Sequence, residues 1–263
     1  MPEMPEVEAV CRRLRGQLVG LRIRSARVLR CADKALEQAV IRRTVTAVDR
    51  RGKHILIRLS GGITVHVHLR MSGNLFMIPD HRLSGASARI IVALAGGTGL
   101  VLEDPRALAR AEAVGTRLIN GEMEKLGPEP LSPVFTPDWL LEKARGCRQP
   151  AKLFLMDQTK VAGLGNIYAA EALFQARINP RKPMQTLARM RVERLYSAIV
   201  GILKDAVQSA YLAYSGPGDF QEAESFPLAV YGRQGEPCHA CGATIRRLMQ
   251  GGRSTYYCPG CQK

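Results

Sequence analysis

The spacing of hydrophobic residues distinguishes a region of alternation from a region of helical periodicity in this 263-residue chain. From about residue 21 to 115, apolar and polar residues alternate in short runs such as 54–59 and 63–69, with glycine-rich turns between the runs. This alternation predicts half-buried β-strands, and the glycine turns predict antiparallel pairing in a sandwich or barrel. Further along, apolar residues recur every three or four positions, which is typical of helices. The predicted helices cover 137–146, 150–158, 166–176 and 189–212.

The same patterns predict a leading helix and a linker. Residues 4–19 place Val7, Leu14 and Leu18 on one apolar stripe at helical spacing, and Gly20 is the expected end of that helix. A proline-rich stretch at 126–133 is typical of a linker. We therefore expect an α+β protein of two domains, in which an N-terminal β-sandwich with a leading helix precedes a mainly helical domain. The expected limits are 1–125 for the sandwich, 126–133 for the linker, 134–227 for the helical domain and 228–263 for a terminal zinc finger.

The strongest local motif is a pair of CxxC sequences near the C-terminus, with sixteen residues between them. Two CxxC pairs at this spacing predict one structural zinc ion in a closed tetrahedral site. Four thiolates leave no open coordination position, so this metal would not activate water. Residues 244–248 and 253–258 alternate like the arms of a β-hairpin around Gly251-Gly252, which predicts a zinc ribbon. The predicted ligands are Cys238, Cys241, Cys258 and Cys261.

The chain carries no sign of a membrane segment or a signal peptide. No apolar run approaches the roughly 20 residues that a membrane span needs, and Glu3, Glu6 and Glu8 interrupt any signal-peptide core. We therefore expect a cytoplasmic protein with no membrane partner. Thiols stay reduced in the cytoplasm, so a disulfide framework is not expected. The isolated cysteines Cys11, Cys31 and Cys147 are interpreted as packed small hydrophobic residues.

Electric charge gives the first indication of a partner. Lysine and arginine number 38 against 23 acidic residues, which gives a net charge of +15 and a pI of about 9.9. Such an excess favours a polyanion, because phosphate neutralisation releases bound counterions. The basic residues are spread from Arg12 to Arg253, and no amphipathic basic segment indicates a membrane surface. Nucleic acid is the expected partner.

Three weaker motifs keep two interpretations open. Gly163-Leu164-Gly165 precedes a predicted helix that begins at Asn166, so its backbone amides could hold a phosphate or form an ordinary turn. Lys53 follows a glycine turn, where a lysine is usually a solvated surface charge. His66 and His68 share one strand face, but no third metal ligand accompanies them, so we favour a structural role.

Seven motifs along the chain are similar, in sequence and in order, to the motifs of one protein family. The chain resembles the bacterial formamidopyrimidine-DNA glycosylase/endonuclease VIII family of base-excision repair enzymes, and its first and last motifs resemble the formamidopyrimidine branch more closely. The motifs are MPEMPEVE at 1–8, RRGKHILIRL at 50–59, HLRMSGNL at 68–75, EDPRALA at 103–109, LFLMDQTKVAGLGNIYAAEALF at 153–174, VYGRQGEPCHACG at 230–242 and RSTYYCPGCQK at 253–263.

The resemblance implies a catalytic group at the N-terminus. Removal of Met1 would leave Pro2 as a secondary amine that attacks the sugar C1′ and forms a Schiff base. Glu3 would act as general acid and base at the sugar, and Glu6 would support the site. Lys53 would contact the phosphate of the lesion strand. The implied activity is a bifunctional DNA glycosylase and AP lyase that removes oxidised or ring-opened bases and cuts the strand by β,δ-elimination.

The resemblance also implies a DNA interface. The partner would be double-stranded DNA with damaged bases or abasic sites, bound by a monomer associated with the bacterial nucleoid. The helical domain would contain a helix–two-turn–helix in which Asn166 and Lys152 bind backbone phosphate, and Arg253 on the zinc hairpin would complete the clamp. Met71 and Arg106 would fill the gap left by the everted base.

Two departures from the family pattern bear on specificity. Leu108 stands where the family carries an aromatic wedge, which implies a different discrimination of the opposite base. Residues 215–227 are shorter than the lesion-covering loop of the formamidopyrimidine branch, which argues against 8-oxoguanine as the preferred substrate. Two alternatives stay open. A non-catalytic binder of damaged or structured DNA would retain Met1, whereas a zinc-ribbon transcription factor would explain only the C-terminus.

Overall fold

The computed structural model describes residues 2–83, 85–214, 223 and 226–263 of the chain. The chain forms two compact units, one from residues 1–125 with 210–224 and the other from 126–209 with 225–263. We call them unit 1 and unit 2. The helices are α1 Met4–Leu18, α2 Ala35–Val40, α3 Thr116–Met123, α4 Pro137–Ala144, α5 Ala151–Met156, α6 Asn166–Gln175 and α7 Arg189–Ala213. The strands are β1 Ile23–Val28, β2 Val45–Arg51, β3 His54–Leu59, β4 Ile63–His68, β5 Asn74–Ile78, β6 Ala88–Leu94, β7 Gly99–Glu103, β8 Arg110–Gly115, β9 Arg246–Gln250 and β10 Arg253–Tyr257.

Unit 1 is a β-sandwich, as the alternating pattern predicts. One sheet has the order β2-β3-β4-β8 and the other the order β1-β6-β7-β5, and all neighbouring strands are antiparallel. The hydrophobic core of the unit includes Ile55 and Val67 from one sheet and Leu94 and Leu102 from the other, each at most 2% exposed. The α+β class with an N-terminal sandwich is therefore confirmed.

The leading helix α1 is also confirmed. Its apolar stripe is buried, with Val7, Leu14 and Leu18 at most 1% exposed. The helix ends at Leu18, and Gly20 then adopts a left-handed conformation with φ of +88°. Helices α2 and α3 were not predicted. Each buries only two side chains, so their sequences carry little helical periodicity.

Unit 2 contains helices α4 to α6, most of α7, and the zinc hairpin. Each predicted helix is present, and the observed ends differ from the predicted ones by at most two residues. In the hairpin β9–β10, Arg253 pairs with Gln250, and Gly251 and Gly252 at the tip have φ of +54° and +72°. The predicted hairpin tip is therefore confirmed, although β9 begins at Arg246 rather than at residue 244.

The chain returns to unit 1 at the end of α7. The Tyr214 hydroxyl donates a hydrogen bond to the carbonyl oxygen of Leu75 at 2.7 Å and lies 3.1 Å from Oδ1 of Asn74. The four-part division of the chain predicted from the sequence stays a prediction. Met1 and most of the predicted short loop at 215–227 lie outside the described residues.

Two of the three isolated cysteines are buried. Cys11 and Cys31 are buried as predicted, whereas Cys147 is only partly buried and its Sγ lies 3.9 Å from Nζ of Lys160. Among the described residues, the helices are all too short or too polar to cross a membrane.

Candidate active site and zinc centre

The start of α1 places two carboxylates beside Pro2. Glu3 and Glu6 are 2% and 1% exposed, and Pro2 is buried as well. The two glutamates form a reciprocal capping box: the Glu3 side chain accepts from the Glu6 backbone N–H, and Glu6 Oε2 accepts from the Glu3 N–H at 2.8 Å. Glu6 Oε1 also accepts from the backbone N–H of Ala223 at 3.3 Å. These bonds fix both carboxylates directly after the residue predicted to carry the reactive amine.

Lys53 lies at the turn between β2 and β3. Gly52 provides the positive φ of +56° that this turn needs, and Lys53 is 5% exposed. The interpretation of Lys53 as a solvated surface charge is therefore wrong, because its side chain is buried among the strands. A buried ammonium needs polar or anionic partners, and phosphate oxygens are partners of that kind.

A row of three histidines runs beside Lys53. Nδ1 of His54 lies 2.7 Å from Nε2 of His66, whose Nδ1 lies 2.8 Å from Oε1 of Glu112. The ring of His68 meets that of His54 edge to face at 4.9 Å. Burial, together with the positive neighbours Lys53 and Arg70, lowers the pKa of His54 to about 3 and that of His68 to about 4. Both nitrogens of His66 are engaged, which supports a structural role for this residue.

Three predicted DNA-contacting residues lie on two loops of unit 1, residues 69–73 and 104–109, which we call the wedge loops. Met71 is 47% exposed in the first loop and Leu108 is 39% exposed in the second, next to the exposed Arg106. Large apolar side chains with this exposure at loop tips can enter a stack of bases. The structure thus presents apolar and cationic side chains from both wedge loops.

In unit 2, Asn166 and Lys152 converge on strand β10. Asn166 is the first residue of α6, and its Nδ2 donates to the carbonyl oxygen of Ser254 at 3.0 Å. Lys152 is fully buried, and its Nζ donates to the same carbonyl at 2.9 Å and to Oγ1 of Thr255 at 2.7 Å. Both residues therefore hold the strand whose first residue, Arg253, is exposed. The buried Oδ1 of Asn166 has no hydrogen-bond partner in the described part of the chain.

The four predicted zinc ligands come together at the base of the hairpin. Their Sγ atoms all lie within 4.8 Å of one another, with Cys238 and Cys261 at 3.9 Å and Cys241 and Cys258 at 3.4 Å. A tetrahedral zinc with bonds of 2.3 Å places its sulfurs about 3.8 Å apart, so the cluster fits the ion. These cysteines form a structural zinc site, and the zinc prediction is confirmed. Among the described residues, they are the only cluster of three or more histidine, cysteine or acidic side chains placed to hold a metal.

A buried carboxylate that the sequence motifs do not predict connects α6 to the segment before the zinc site. Glu171 is 3% exposed and accepts hydrogen bonds from the backbone N–H groups of Ala229, Val230 and Tyr231 at 2.8 to 3.0 Å. Burial raises the pKa of Glu171, and these three donors oppose the rise. An acidic residue inside the apolar run 167–174 is the signal that could have indicated this role.

Comparison with known proteins gives matches to three segments of the chain. Family models match the formamidopyrimidine-DNA glycosylase N-terminal domain over residues 1–111, the formamidopyrimidine-DNA glycosylase H2TH domain over 126–214, and a zinc finger found in FPG and IleRS over 235–263. The chain is 39% identical to a formamidopyrimidine-DNA glycosylase of Pelotomaculum thermopropionicum, with 100% of this chain and 99% of that protein covered. It is 41% identical to a formamidopyrimidine-DNA glycosylase of Geotalea uraniireducens over 100% of both chains.

Solved structures show the same similarity. A variant of Lactococcus lactis FPG in complex with Fapy-dG-containing DNA has a TM-score of 0.89 and 31% identity over 100% of both chains. The complex of Lactococcus lactis Fpg with DNA containing an abasic site has a TM-score of 0.89 and 30% identity over 99% of both chains. The resemblance inferred from the seven sequence motifs is confirmed. The chain therefore belongs to the formamidopyrimidine-DNA glycosylase family.

Proposed function

We propose that this protein is a DNA glycosylase of base-excision repair that also acts as an AP lyase. Its substrate is double-stranded DNA with an oxidised or ring-opened base or with an abasic site. The observation that carries the proposal is the buried pair Glu3 and Glu6 directly after Pro2, because carboxylates held beside an amine can move protons during sugar chemistry. Family membership and the neighbours' complexes with Fapy-dG and abasic-site DNA support the same reaction.

Base release begins with the amine of Pro2, which is no longer part of a peptide bond once Met1 has been removed. An α-amino group has a pKa near 8, so a neutral fraction is present at pH 7. The amine attacks C1′ of the sugar; its bond to C1′ forms as the glycosidic bond breaks, and the base leaves with the bonding electron pair. The attacking nitrogen then passes its proton to the carboxylate of Glu3, and the departed base takes a proton from water. Glu3 delivers its proton to the ring oxygen O4′ as the nitrogen lone pair forms the C=N bond and the bond from C1′ to O4′ opens. The product is an iminium ion that joins Pro2 to the sugar.

Strand cleavage follows from that iminium ion. The positive nitrogen accepts electron density, so a proton on C2′ becomes acidic and can be taken by a carboxylate such as Glu3. The electron pair forms a double bond as the 3′ phosphate leaves, which is the β-elimination. A second proton loss expels the 5′ phosphate, and water then hydrolyses the iminium and frees Pro2.

Each unit contributes DNA contacts to this reaction. The target nucleotide must leave the base stack, because C1′ is not accessible to an amine inside the duplex. In unit 1, Lys53 contacts the lesion-strand phosphate, and Met71, Arg106 and Leu108 occupy the gap. Leu108 supplies apolar bulk with less stacking than an aromatic ring, so its contact with the opposite base is weaker.

In unit 2, Asn166, Lys152 and Arg253 form the second phosphate-binding group. Arg253 is exposed on the hairpin that the zinc site stiffens, and a guanidinium can bind two phosphate oxygens at once. The net charge of +15 strengthens such contacts at low salt. We place the protein in the cytoplasm at the bacterial nucleoid, acting as a monomer.

A panel of duplexes tests this function. The panel carries an oxidised purine, an oxidised pyrimidine or an abasic site, and base release and strand cutting are measured separately. We expect Glu3→Gln to lower base release by about 100-fold or more, because it removes a general acid, while the Kd for the duplex stays unchanged. Glu8→Gln is the matched control on the same helix, where Glu8 pairs with Arg50 and Arg15 instead of the capping box.

Two outcomes would contradict the proposal in different ways. A wild-type protein that binds every duplex and releases no base would be a non-catalytic DNA binder. Full activity in Glu3→Gln, with base release intact, would show that the proton comes from another group.

A further inference from the structure

Asp104 is a fully buried carboxylate, and its hydrogen bonds reach both wedge loops. Oδ1 accepts from the Ser72 hydroxyl at 2.5 Å and from the backbone N–H of Arg106 at 3.2 Å. Oδ2 accepts from the backbone N–H groups of Leu108 and Ala109, both at 2.6 Å. Ser72 belongs to the first wedge loop, 32 residues away in sequence, and the three backbone donors belong to the second.

The backbone of both wedge loops is strained at matching positions. Arg70 has φ of +55° and immediately precedes Met71, and Ala107 has φ of +51° and immediately precedes Leu108. Left-handed backbone is uncommon for residues other than glycine, so surrounding contacts must hold it in place. In the second loop the bonds from Asp104 lie on either side of Ala107 and provide that constraint.

A second set of bonds anchors the backbone of Asp104 itself. Nε of Arg89 donates to the Asp104 carbonyl oxygen at 2.8 Å, and Nη2 of Arg89 lies 3.3 Å from the carbonyl oxygen of Pro105. The Asp104 N–H donates to the carbonyl oxygen of Ser87 at 3.0 Å. Asp104 is therefore tied to the sheet through its backbone and to both wedge loops through its side chain.

We propose that Asp104 is a positioning residue that couples the two wedge loops, so that Met71, Arg106 and Leu108 enter the DNA stack as one device. The inference rests on the proposed function and deepens it, since it assigns the control of base eversion to a residue that is itself fully buried. The three side chains then act together: displacement of one loop moves the donors that hold the other.

The ionised form of Asp104 suits this role. Burial opposes the charge, but the bond from Ser72 and the three backbone donors outweigh it, and the pKa of Asp104 is lowered. All four partners are donors, so both oxygens must accept. An asparagine at this position would turn an NH₂ group toward the backbone N–H of Arg106 or toward those of Leu108 and Ala109, which places donor against donor in either orientation.

The test compares two substrates that differ in their need for base eversion. One is a duplex with a paired damaged base; the other is a single-stranded oligonucleotide with an abasic site, where there is no stack to open. For Asp104→Asn we expect kcat/KM on the duplex to fall about 10- to 100-fold, because the wedge side chains are misplaced, and cleavage of the single strand to stay within about twofold. Asp157→Asn is the matched control, because Asp157 also accepts bonds from a nearby backbone N–H and hydroxyl, those of Thr159, but lies in unit 2.

Ser72→Ala provides a second variant that keeps the backbone bonds of Asp104. It removes only the bond between the loops, and we expect a duplex-specific loss of about three- to tenfold. The inference is overturned if either variant loses activity equally on both substrates, or if Ser72→Ala matches the wild type on both. The proposed function fails separately, if the wild-type protein itself releases no base from the duplex.

Discussion

The wedge loops of unit 1 and the zinc hairpin of unit 2 both hold exposed side chains on short turns, but they are stabilised differently. The wedge loops rest on the large core of the sandwich, and one carboxylate, Asp104, is enough to join them. In the described part of the chain, the hairpin adjoins a much smaller buried cluster that includes Val230 and Ile245. A turn on a large core needs only a few hydrogen bonds to hold it, whereas a hairpin on a small core needs a metal to close it.

Loss of the zinc ion should have the largest effect on DNA affinity, and it should act on the hairpin and not on the wedge loops. In Cys258→Ser, one ligand is lost, and a structural zinc contributes apparent binding energies of about 10–16 kcal/mol in small domains. We expect DNA affinity to fall by about 100-fold or more as the hairpin unfolds, while the sandwich keeps its unfolding transition. Fluorescence anisotropy with labelled duplex and a zinc titration measure the two effects.

The control for that experiment is Cys147→Ser. Cys147 is partly buried and lies outside the metal cluster, so its loss should leave both zinc content and DNA affinity at wild-type values. Full DNA affinity in a Cys258→Ser protein shown to be free of zinc would contradict the account of the hairpin.

Replacement of Lys152 should have a smaller effect, confined to the hairpin. Lys152→Met removes the ammonium that bonds Ser254 and Thr255, and a hydrogen bond to a charged group is worth about 1.5–3 kcal/mol. We expect hydrogen exchange to accelerate in β10 and not in the sandwich. Lys143→Met, at an exposed lysine paired only with Glu142 in the described residues, is the control. Unchanged exchange in β10 would show that the metal alone holds the hairpin.

Acidification should lower the free energy of unfolding of unit 1 between about pH 6.5 and pH 4. The pKa values of His54 and His68 are lowered to about 3 and about 4, by burial first and then by positive neighbours including Lys53, Arg70 and His66. Unfolded histidine has a pKa near 6.5, so below that pH the unfolded chain binds protons that the folded one excludes. The free energy of unfolding should therefore fall between about pH 6.5 and pH 4, by up to about 1.4 kcal/mol per pH unit for each histidine.

Hydrogen exchange in β3 and β4 at pH 7, 5.5 and 4.5, corrected for its intrinsic pH dependence, measures this slope. His54→Phe keeps a ring of similar size and removes one titrating group, so it should reduce the slope by about half. A slope that is the same in both proteins would mean that His54 does not contribute to it.

The sequence predicted the features whose information is local. The four cysteines, the Gly251-Gly252 tip and the start of α6 at Asn166 lie within short segments, and the structure places them as expected. The strands could be predicted equally well, because the two-residue alternation of a half-buried strand does not depend on how the sheets are arranged. The family motifs supplied the rest of the site, since six residues at the N-terminus are not enough to indicate a catalytic amine.

Features that depend on contacts between distant segments could not be predicted. Lys53 looked like a surface charge, because its burial comes from the surrounding strands and not from its neighbours in sequence. The bonds from the Lys152 ammonium to the hairpin join segments about 100 residues apart, so the sequence did not indicate them. The phosphate contact of Lys152 stays a prediction. The motif EDPRALA contains Asp104, but the sequence does not indicate its bond to Ser72, because that bond joins loops 32 residues apart.

The central claim is that a single amine, that of Pro2, carries the reaction. Borohydride reduction in the presence of duplex DNA with an abasic site, followed by mass spectrometry of the digested protein, tests it directly. We expect a covalent adduct on a peptide that begins with Pro2, with Met1 absent. A protein that cuts the duplex but gives no adduct, or one whose adduct lies on a lysine such as Lys53, would contradict the claim.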